Sequence, residues 1–373
     1  MKCNTLISAS LLFFSMQIFG QVYTEKIIGT KNQELKDSLA VEKYPYALPI
    51  WGEKVAQKGY KLPYSAGLSI NYFWQDSDIT IKDLEVGFNN GPLYNLDEIV
   101  RFDKSSVVTS SVTIRPDIWL LPFLNVYGIF GQSKTTTKIN AGIWIPDADN
   151  NWTQVTSINT SANFDATTFG FGMTPTIGIG GGWLALDMNM AWTDISSLDK
   201  PAFSYIFGPR LGKTFKLHKP DRNIAFWVGG FRVHISGDTN GNISLGDVLD
   251  LEGAEEKVAA GLTKVADNQT KVDTWWDGLT PSQQKNPANV AKHNTANRAL
   301  ESAGTLLNNI DGALSTAGSS TVQYSLHKAP KDMWNFIVGS QFQYNKHIMF
   351  RVEAGFLGSR TQVLGGLQYR FGL

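Results

Sequence analysis

Apolar side chains that alternate with small or polar ones recur along this sequence, and this alternation restricts the chain to a strand-based fold. In the last segment, residues 361–373, Val363 and Leu367 fall on one parity, while Gln362 and Gln368 fall on the other. Successive side chains of a β-strand point to opposite faces, so the pattern predicts strands with one apolar face. The same alternation appears in the segments 66–75, 108–120, 168–179, 184–193 and 347–356.

The composition of the second face separates two all-β architectures. A soluble sandwich also alternates, but its exposed face normally carries Lys, Glu and Thr. Here the second face carries Gly, Ser, Thr, Asn and a few charges, as in Thr168, Gly170 and Gly172. Small and polar side chains suit the concave inside of a barrel whose apolar face meets lipid. We therefore expect a transmembrane, antiparallel, up-and-down β-barrel.

Short and long connections alternate between the predicted strands. Short ones occur at 120–124, 180–182, 218–223 and 345–346, and long ones around 89–92, 147–151, 196–200 and 237–332. Membrane barrels have tight periplasmic turns and extended outer loops, and an even strand number leaves both chain ends in the periplasm. The connections predict about ten strands: 66–88, 95–120, 124–145, 152–180, 183–195, 201–217, 223–236, 333–345, 347–357 and 360–373. The first four are longer than a membrane crossing needs and should project beyond it.

The N-terminus and the composition limit the location and the partners. Lys2 precedes an apolar run from Leu6 to Phe19, which predicts a signal peptide over residues 1–20. Cys3 is the only cysteine, so the secreted chain would have neither disulfides nor thiolate metal sites. The 33 basic and 33 acidic side chains balance, so nucleic acid is not an expected partner. No window approaches the roughly 18 unbroken apolar residues of a transmembrane helix.

The signal, the alternating strands and the strand-forming C-terminus together resemble a Gram-negative outer-membrane β-barrel protein. The resemblance is one of architecture and covers roughly 66–236 and 333–373. It implies location in the outer membrane, contact with its lipid, and insertion by the barrel-assembly machinery. It also implies that the last strand closes against the first near Gly67–Gln75. The last strand of this class usually ends in an aromatic residue, whereas here Phe371 is followed two places later by Leu373.

Two further segments are expected to lie outside the barrel. Residues 21–63 are polar and would sit in the periplasm or in the barrel mouth. Residues 247–317 carry apolar residues at helical spacing, and Thr280, Pro281 and Gln283 fit a capping box, so a helical hairpin is predicted in an outer loop. The expected order is a signal peptide (1–20), a periplasmic segment (21–63), barrel strands (64–246), the hairpin (247–317) and the last strands (318–373).

Strand parity also predicts two groups of side chains with separate roles. Charged residues on the inward parity would line a narrow lumen, as a structural ion-pair network or as a selectivity element for anions: Arg115, Asp117, Asp187, Arg210, Arg232, His234, Arg351, Glu353 and Arg370. Aromatic residues near strand ends would form the interfacial girdles: Trp74, Trp119, Trp183, Trp192, Trp334, Tyr344, Tyr369 and Phe371.

The functional hypotheses that follow belong to different classes. The first is a porin-like, narrow or gated channel for small solutes, and the second is a surface binding or adhesion protein that uses the hairpin to contact an extracellular ligand or host surface. A third is a rim hydrolase built on His234 and Asp238, although no GxSxG motif is present and an enzyme is not the expectation. Two Asx-rich stretches, 147–151 and 238–242, have partial calcium-loop spacing, but both are read as turns, so no metal or cofactor is expected.

Overall fold

The fold is mostly antiparallel β-structure, with a helical segment between two of its later strands. The computed structural model describes residues 25–26, 44–195, 200–219, 221–235, 238–248, 251–316 and 319–373, so the predicted signal peptide lies outside them, as do residues 27–43. The longer strands, in chain order, are β1 (Ala66–Phe88), β2 (Val100–Leu121), β3 (Leu124–Pro146), β4 (Trp152–Ile179), β5 (Gly182–Ile195), β6 (Ala202–Lys216), β7 (Asn223–Ile235), β8 (Asp238–Ser244), β9 (Thr321–Pro330), β10 (Trp334–Gln343), β11 (Ile348–Phe356) and β12 (Arg360–Phe371).

Ten of these strands, all except β8 and β9, form a closed barrel. Each pairs antiparallel with its neighbours in the sheet, and β12 returns to pair with β1 from Arg360 opposite Ser77 to Phe371 opposite Ala66. The other edge of β1 pairs with β2. The C-terminal strand therefore has a neighbour on both sides, which confirms the predicted closure against residues 67–75.

The outward face of the barrel is a band of exposed apolar side chains. Val352, Phe169 and Phe130 are 59%, 56% and 54% exposed. Soluble proteins rarely present a continuous apolar surface of this kind, whereas a transmembrane barrel presents it to hydrocarbon. The predicted fold class is confirmed. No helix in the described part of the chain is both long and apolar enough to cross a membrane.

Strands β8 and β9 extend the sheet beyond the barrel. They pair with each other from Asp238 opposite His327 to Ser244 opposite Thr321. Strand β9 also pairs with the second half of β1, from Ile79 to Phe88. The amide of Asp78 bonds Ser359, and its carbonyl accepts from Lys331, so β9 continues on the side of β1 where β12 ends. This pair of strands was missed in the sequence, and the prediction of a turn at 238–242 is wrong.

The predicted helical hairpin is present in the connection between β8 and β9. This connection contains four helices, α2 (Leu245–Val248), α3 (Ala254–Asp277), α4 (Pro281–Gln284) and α5 (Pro287–Leu314). A separate short helix, α1 (Gly52–Gln57), precedes the barrel. Helix α5 begins with Pro287 after Asn286, whose side chain accepts a hydrogen bond from the Ala288 amide. At α4, the Gln283 side chain accepts from the Thr280 amide at 2.9 Å, as the capping box predicts.

The hairpin packs on the ends of β1, β3 and β4 that project beyond the barrel, and together with β8 and β9 these form what we call the outer module. Its core is apolar and includes Leu300, Leu307, Ile143 and Ile145, each at most 1% exposed. The two isoleucines share the parity of the lumen-facing side chains of β3. The hairpin therefore lies on the side of the projecting strands that continues the inner wall of the barrel.

Candidate functional site in the barrel lumen

Ion pairs occupy the inner half of the lumen, where "inner" denotes the end of the barrel at which β12 ends and the short turns lie. Arg210 lies at the centre, forms an ion pair with Asp187 and donates to both oxygens of Glu353, at 2.9 and 3.2 Å. Glu353 also accepts from the Trp227 indole at 2.9 Å and from Arg351 at 3.1 Å. These carboxylates and Arg210 are at most 7% exposed. Each buried charge is compensated, as its removal from water requires.

A second ion pair lies close to the inner mouth. Arg370 contacts Asp117 at 3.0 Å and donates through Nε to the Tyr64 carbonyl at 3.0 Å. Asp117 also accepts from Gln368 at 2.7 Å and from Asn125 at 2.8 Å. Arg370 is 1% exposed. This pair therefore joins the last strand, β2 and the segment before β1.

Tryptophan side chains pack between these charges because glycines on neighbouring strands leave space. A Cβ at Gly339 would overlap the Trp227 ring, and one at Gly212 would overlap the Trp183 ring. The two indoles lie 6.1 Å apart, and Trp183 donates to the hydroxyl of Thr214 at 3.2 Å. Glycine is thus required on the inner wall for close approach, not for a turn.

A cavity of about 120 Å³ remains within this packed half. The side chains of both ion-pair groups, except that of Glu353, line it, together with Arg115, Trp119 and Thr176. The Arg115 guanidinium stacks over Tyr127 with a separation of 3.8 Å. The inner lumen is therefore narrow and charged, but it is not completely filled.

The outer half of the lumen has a wall of smaller side chains. Thr109 and Thr135 share a hydrogen bond at 3.0 Å, and Thr168 and Thr193 share one at 2.9 Å. Between and beside them lie Gly131, Ser133, Ala166, Gly170, Ala191 and Ser204. The lumen thus changes from small, half-buried polar residues at the outer side to large, charged residues at the inner side.

Residues 44–65, which we call the inner segment, cross the inner mouth. The Leu48 amide bonds the carbonyl of Leu373, and the Ile50 amide bonds that of Leu120. Lys61 forms an ion pair with Asp221, in the turn between β6 and β7 on the side of the barrel opposite β1. The segment therefore reaches across the opening, as one of the two sequence-based alternatives for residues 21–63 proposed.

The inner segment is also held by aromatic contacts. The Tyr64 ring lies between those of Tyr46 and His347, with centroid distances of 5.8 and 4.8 Å. The ring centroids of Tyr46 and Tyr44 are 5.7 Å apart. Burial, and to a smaller degree the neighbouring Tyr46, raises the pKa of Tyr44 to about 12. The phenol of Tyr44 is therefore neutral wherever the segment is docked at ordinary pH.

The structure places most of the predicted lumen charges inside and two of them outside. Six of them line the cavity, namely Arg115, Asp117, Asp187, Arg210, Arg351 and Arg370, and Glu353 is buried beside it, bonded to Arg210 and Arg351. Arg232 and His234 share the parity of the lipid-facing Phe226 and Val228, so their assignment to the lumen is wrong. Arg232 instead donates to the Tyr205 hydroxyl at 3.1 Å on the outward face.

The aromatic residues likewise divide between the two faces. Trp74, Trp192, Trp334, Tyr344, Tyr369 and Phe371 lie on the outward side, and their role in interfacial girdles stays a prediction. Trp119 and Trp183 were wrongly placed there, because they are only 4% and 5% exposed and line the cavity. Both share a parity with charged lumen residues, Asp117 and Asp187, and this parity was the signal that could have assigned them.

The remaining candidate sites do not come together as catalytic or metal centres. The ring centroids of His234 and Tyr205 lie 6.0 Å apart on the outward face. The Asp238 side chain lies outside what the structure describes. In the turn 147–151, Asp147 accepts from the amides of Asp149 and Asn151, as an Asx-type turn does. Within the described residues no group of three or more His, Cys, Asp and Glu side chains is placed to hold a metal ion. That the protein is not an enzyme stays a prediction.

Two inward-facing residues were not singled out from the sequence. Trp227 and Arg360 are 6% and 3% exposed and point inward. Arg360 shares its parity with Arg370 on β12, and Trp227 alternates with the outward Phe226 and Val228. A strict count of parity along β7 would have placed Trp227 inside and Arg232 outside.

No protein-family model matches the sequence, and no curated protein matches it at a significant level. Among solved structures, the chain is similar to the translocator domain of the autotransporter NalP from Neisseria meningitidis, at 8% identity and a TM-score of 0.30, with both chains fully covered. It is also similar to the COG4313 outer membrane channel from Pseudomonas putida F1, at 9% identity and a TM-score of 0.28, over 83% of this chain and 97% of that one.

A third similar structure is the P. putida toluene transporter TodX, at 9% identity and a TM-score of 0.27, over 84% of this chain and 91% of that one. At these values the likenesses say nothing of what this chain carries or binds. The closed ten-stranded wall and its exposed apolar band define the architecture by themselves. This chain is a closed, ten-stranded antiparallel β-barrel of the transmembrane type, and its location in a bacterial outer membrane stays a prediction.

Proposed function

We propose that this protein is a narrow, gated conduit for small solutes, with the arginine-rich inner lumen as its selectivity element. The observation that carries the proposal is the inner segment, which lies across the inner mouth and is held there by exchangeable contacts. They include an ion pair between Lys61 and Asp221, whose side chains are 43% and 24% exposed, and single backbone hydrogen bonds to Leu120 and Leu373. Contacts of this kind contribute little each and can be broken one at a time.

The gradient along the lumen supports the same function. A solute entering from the outer side would first meet hydroxyl groups such as Thr109 and Thr168, which can replace some of its hydration. It would then meet a constriction lined by four arginines and two aspartates, with Glu353 paired to two of these arginines beside it. A narrow, charged constriction of this kind discriminates by charge because electrostatic interactions are stronger near low-dielectric walls than in bulk water.

Conductance in planar bilayers tests the proposal. We expect a chain lacking residues 22–62 to give discrete single-channel currents with anion preference, and the complete chain to conduct rarely. The matched control lacks only residues 22–43 and keeps the inner segment 44–65, so it should behave like the complete chain. Absence of current from the 22–62 deletion, with the barrel folded and inserted, would rule out the conduit.

A second candidate function is surface recognition by the outer module. It is favoured by one observation: the module has its own apolar core, which includes Leu300 and Leu307 and does not depend on lipid. Such a module can present a stable surface while the barrel serves as its anchor. Replacing residues 251–316 by a short Gly-Ser linker should then abolish adhesion of cells that display the protein. Unchanged adhesion, with the barrel still inserted, would exclude this candidate.

A further inference from the structure

The cavity in the inner lumen contains hydrogen-bond donors without acceptors. Among its lining residues, in the part of the chain that the structure describes, four buried side-chain atoms have no partner: Trp119 Nε1, Arg351 Nε, Arg370 Nη2 and Thr176 Oγ1. Trp119, Thr176 and Arg370 are 4%, 1% and 1% exposed. The indole and guanidinium groups can only donate, and the hydroxyl can donate or accept. Buried donors of this kind are normally paired, so their convergence on one cavity requires an acceptor.

The charges around the cavity indicate that this acceptor is an anion. The lining contains Arg115, Arg210, Arg351 and Arg370 against Asp117 and Asp187. Glu353 lies beside the lining, paired with Arg210 and Arg351, so the whole group has an excess of one positive charge. All three carboxylates already accept hydrogen bonds or ion pairs from neighbouring side chains. No carboxylate in the lining is therefore left to neutralise the additional guanidinium. A bound anion would supply both the missing charge and the missing acceptor atoms.

The volume of the cavity limits the size of that anion. A water molecule occupies roughly 30 Å³ in the liquid, so about 120 Å³ corresponds to a few waters. A tetrahedral or planar inorganic oxyanion fits such a space, while a sugar or a nucleotide does not. Several oxygens on one centre also suit donors that reach the cavity from several strands.

We propose that the inner-lumen cavity binds one small inorganic oxyanion of sulfate or phosphate size. Trp119, Thr176, Arg351 and Arg370 provide the donors that are free for it. The inference names the solute class for the constriction of the proposed conduit and in that respect rests on the proposed function. Binding itself, however, requires no conduction and can be measured separately.

Calorimetric titration of the purified full-length chain in a zwitterionic detergent tests the site. Sodium sulfate and sodium phosphate are the probes, and sodium chloride at matched ionic strength is the comparison. We expect saturable binding of one oxyanion per chain, with chloride at least tenfold weaker. Absence of saturable binding at millimolar concentrations, which would mean that water alone fills the cavity, overturns the proposal.

Two variants assign the binding to these donors. Arg351→Gln removes one charge while Glu353 keeps its bonds to Arg210 and Trp227, and we expect oxyanion affinity at least tenfold lower. Trp119→Phe keeps the ring and removes one neutral donor, so a loss of about fivefold is expected. The matched controls Arg232→Gln and Trp192→Phe alter the outward face and should leave affinity unchanged. Equal affinity in Arg351→Gln, Trp119→Phe and the unaltered chain contradicts the proposal.

The site and the conduit fail through different results. Oxyanion binding without current from the chain lacking residues 22–62 would sink the conduit and support the site. Current from that chain without oxyanion binding in calorimetry would support the conduit and sink the site.

Discussion

The barrel and the outer module share strands but fill their interiors in opposite ways. Within the barrel, β3 directs Phe130 outward at 54% exposure and Tyr127 inward. Farther along the same strand, Lys138 lies outward and exposed, while Ile143 and Ile145 are buried inward. The side-chain period of two does not change along this strand, but the surroundings of its outward face do. Hydrocarbon outside the barrel selects polar residues for the interior, and water outside the module selects apolar ones.

The comparison also explains how each region is stabilised. The barrel interior depends on paired charges and on indoles packed against glycines, whereas the module depends on ordinary apolar packing. Damage to an ion pair should therefore destabilise the barrel, and damage to the apolar core should remain in the module. Substitutions confined to one region therefore separate the two experimentally.

Arg210→Ala should destabilise the barrel most, by about 3–5 kcal/mol, because it leaves two buried carboxylates without their main partner. Urea unfolding in lipid vesicles measures the change. Arg232→Ala, on the outward face, is the matched control and should alter the free energy of unfolding by less than about 0.5 kcal/mol. Equal effects of the two substitutions would show that the lumen network does not hold the barrel.

Leu307→Ala should destabilise the outer module alone, by about 2–5 kcal/mol, since Leu307 is fully buried in its core. Hydrogen exchange resolves the two regions: amides of α3 and α5 should exchange faster, while those of β10, β11 and β12 stay protected. A uniform loss of protection would mean that module and barrel unfold as one unit.

Gly339→Ala should destabilise the barrel by about 1–3 kcal/mol, because the added methyl group displaces Trp227 from Glu353. Gly365→Ala is the matched control, since a Cβ at this outward glycine meets nothing within 4 Å. Intrinsic tryptophan fluorescence and unfolding in urea report both effects. If Gly365→Ala is as harmful as Gly339→Ala, backbone freedom and not space for the indole explains the inner-wall glycines.

Raising the pH should release the inner segment. The pKa of Tyr44 is raised from 10.0 to about 12 in the docked segment, so its contribution is complete below pH 10 and is lost as the pH rises through 12. Limited proteolysis of residues 44–65 should therefore speed up over this window. Tyr44→Phe cannot ionise and should reduce the pH dependence, whereas an unchanged profile would place the effect on another group.

Strand number and closure could be predicted because the turns are short and the alternation is strong. The wrong assignments arose where residue type alone did not mark the face of the strand. Near the outer rim the lipid gives way to water, so charge no longer marks the inward face, and Arg232 and His234 were placed on the wrong side. Trp119 and Trp183 were misplaced for the converse reason: large aromatics are expected at lipid interfaces, but glycines opposite them can also admit them to a lumen.

The ion-pair partners and the inner segment could not be read from the sequence. Arg210 and Glu353 are 143 residues apart, and only the barrel register brings them together. Lys61 meets Asp221 because the segment runs across the opening, a path that no local pattern encodes. Strand β9 was missed because it pairs with β1 only beyond Ser77, where the pairing of β12 with β1 ends, and it is not needed to close the barrel.

Paired cysteine labelling on β4 tests the central claim, that the polar face of each strand lines a wet lumen and the apolar face meets lipid. The only native cysteine is Cys3, in the predicted signal peptide, so single cysteines can be introduced cleanly. In lipid vesicles, Thr168→Cys should react with a small water-soluble maleimide, and Phe169→Cys should react only with a membrane-dissolved one. Reaction of both positions with the water-soluble reagent, or the reverse preference, would contradict the account.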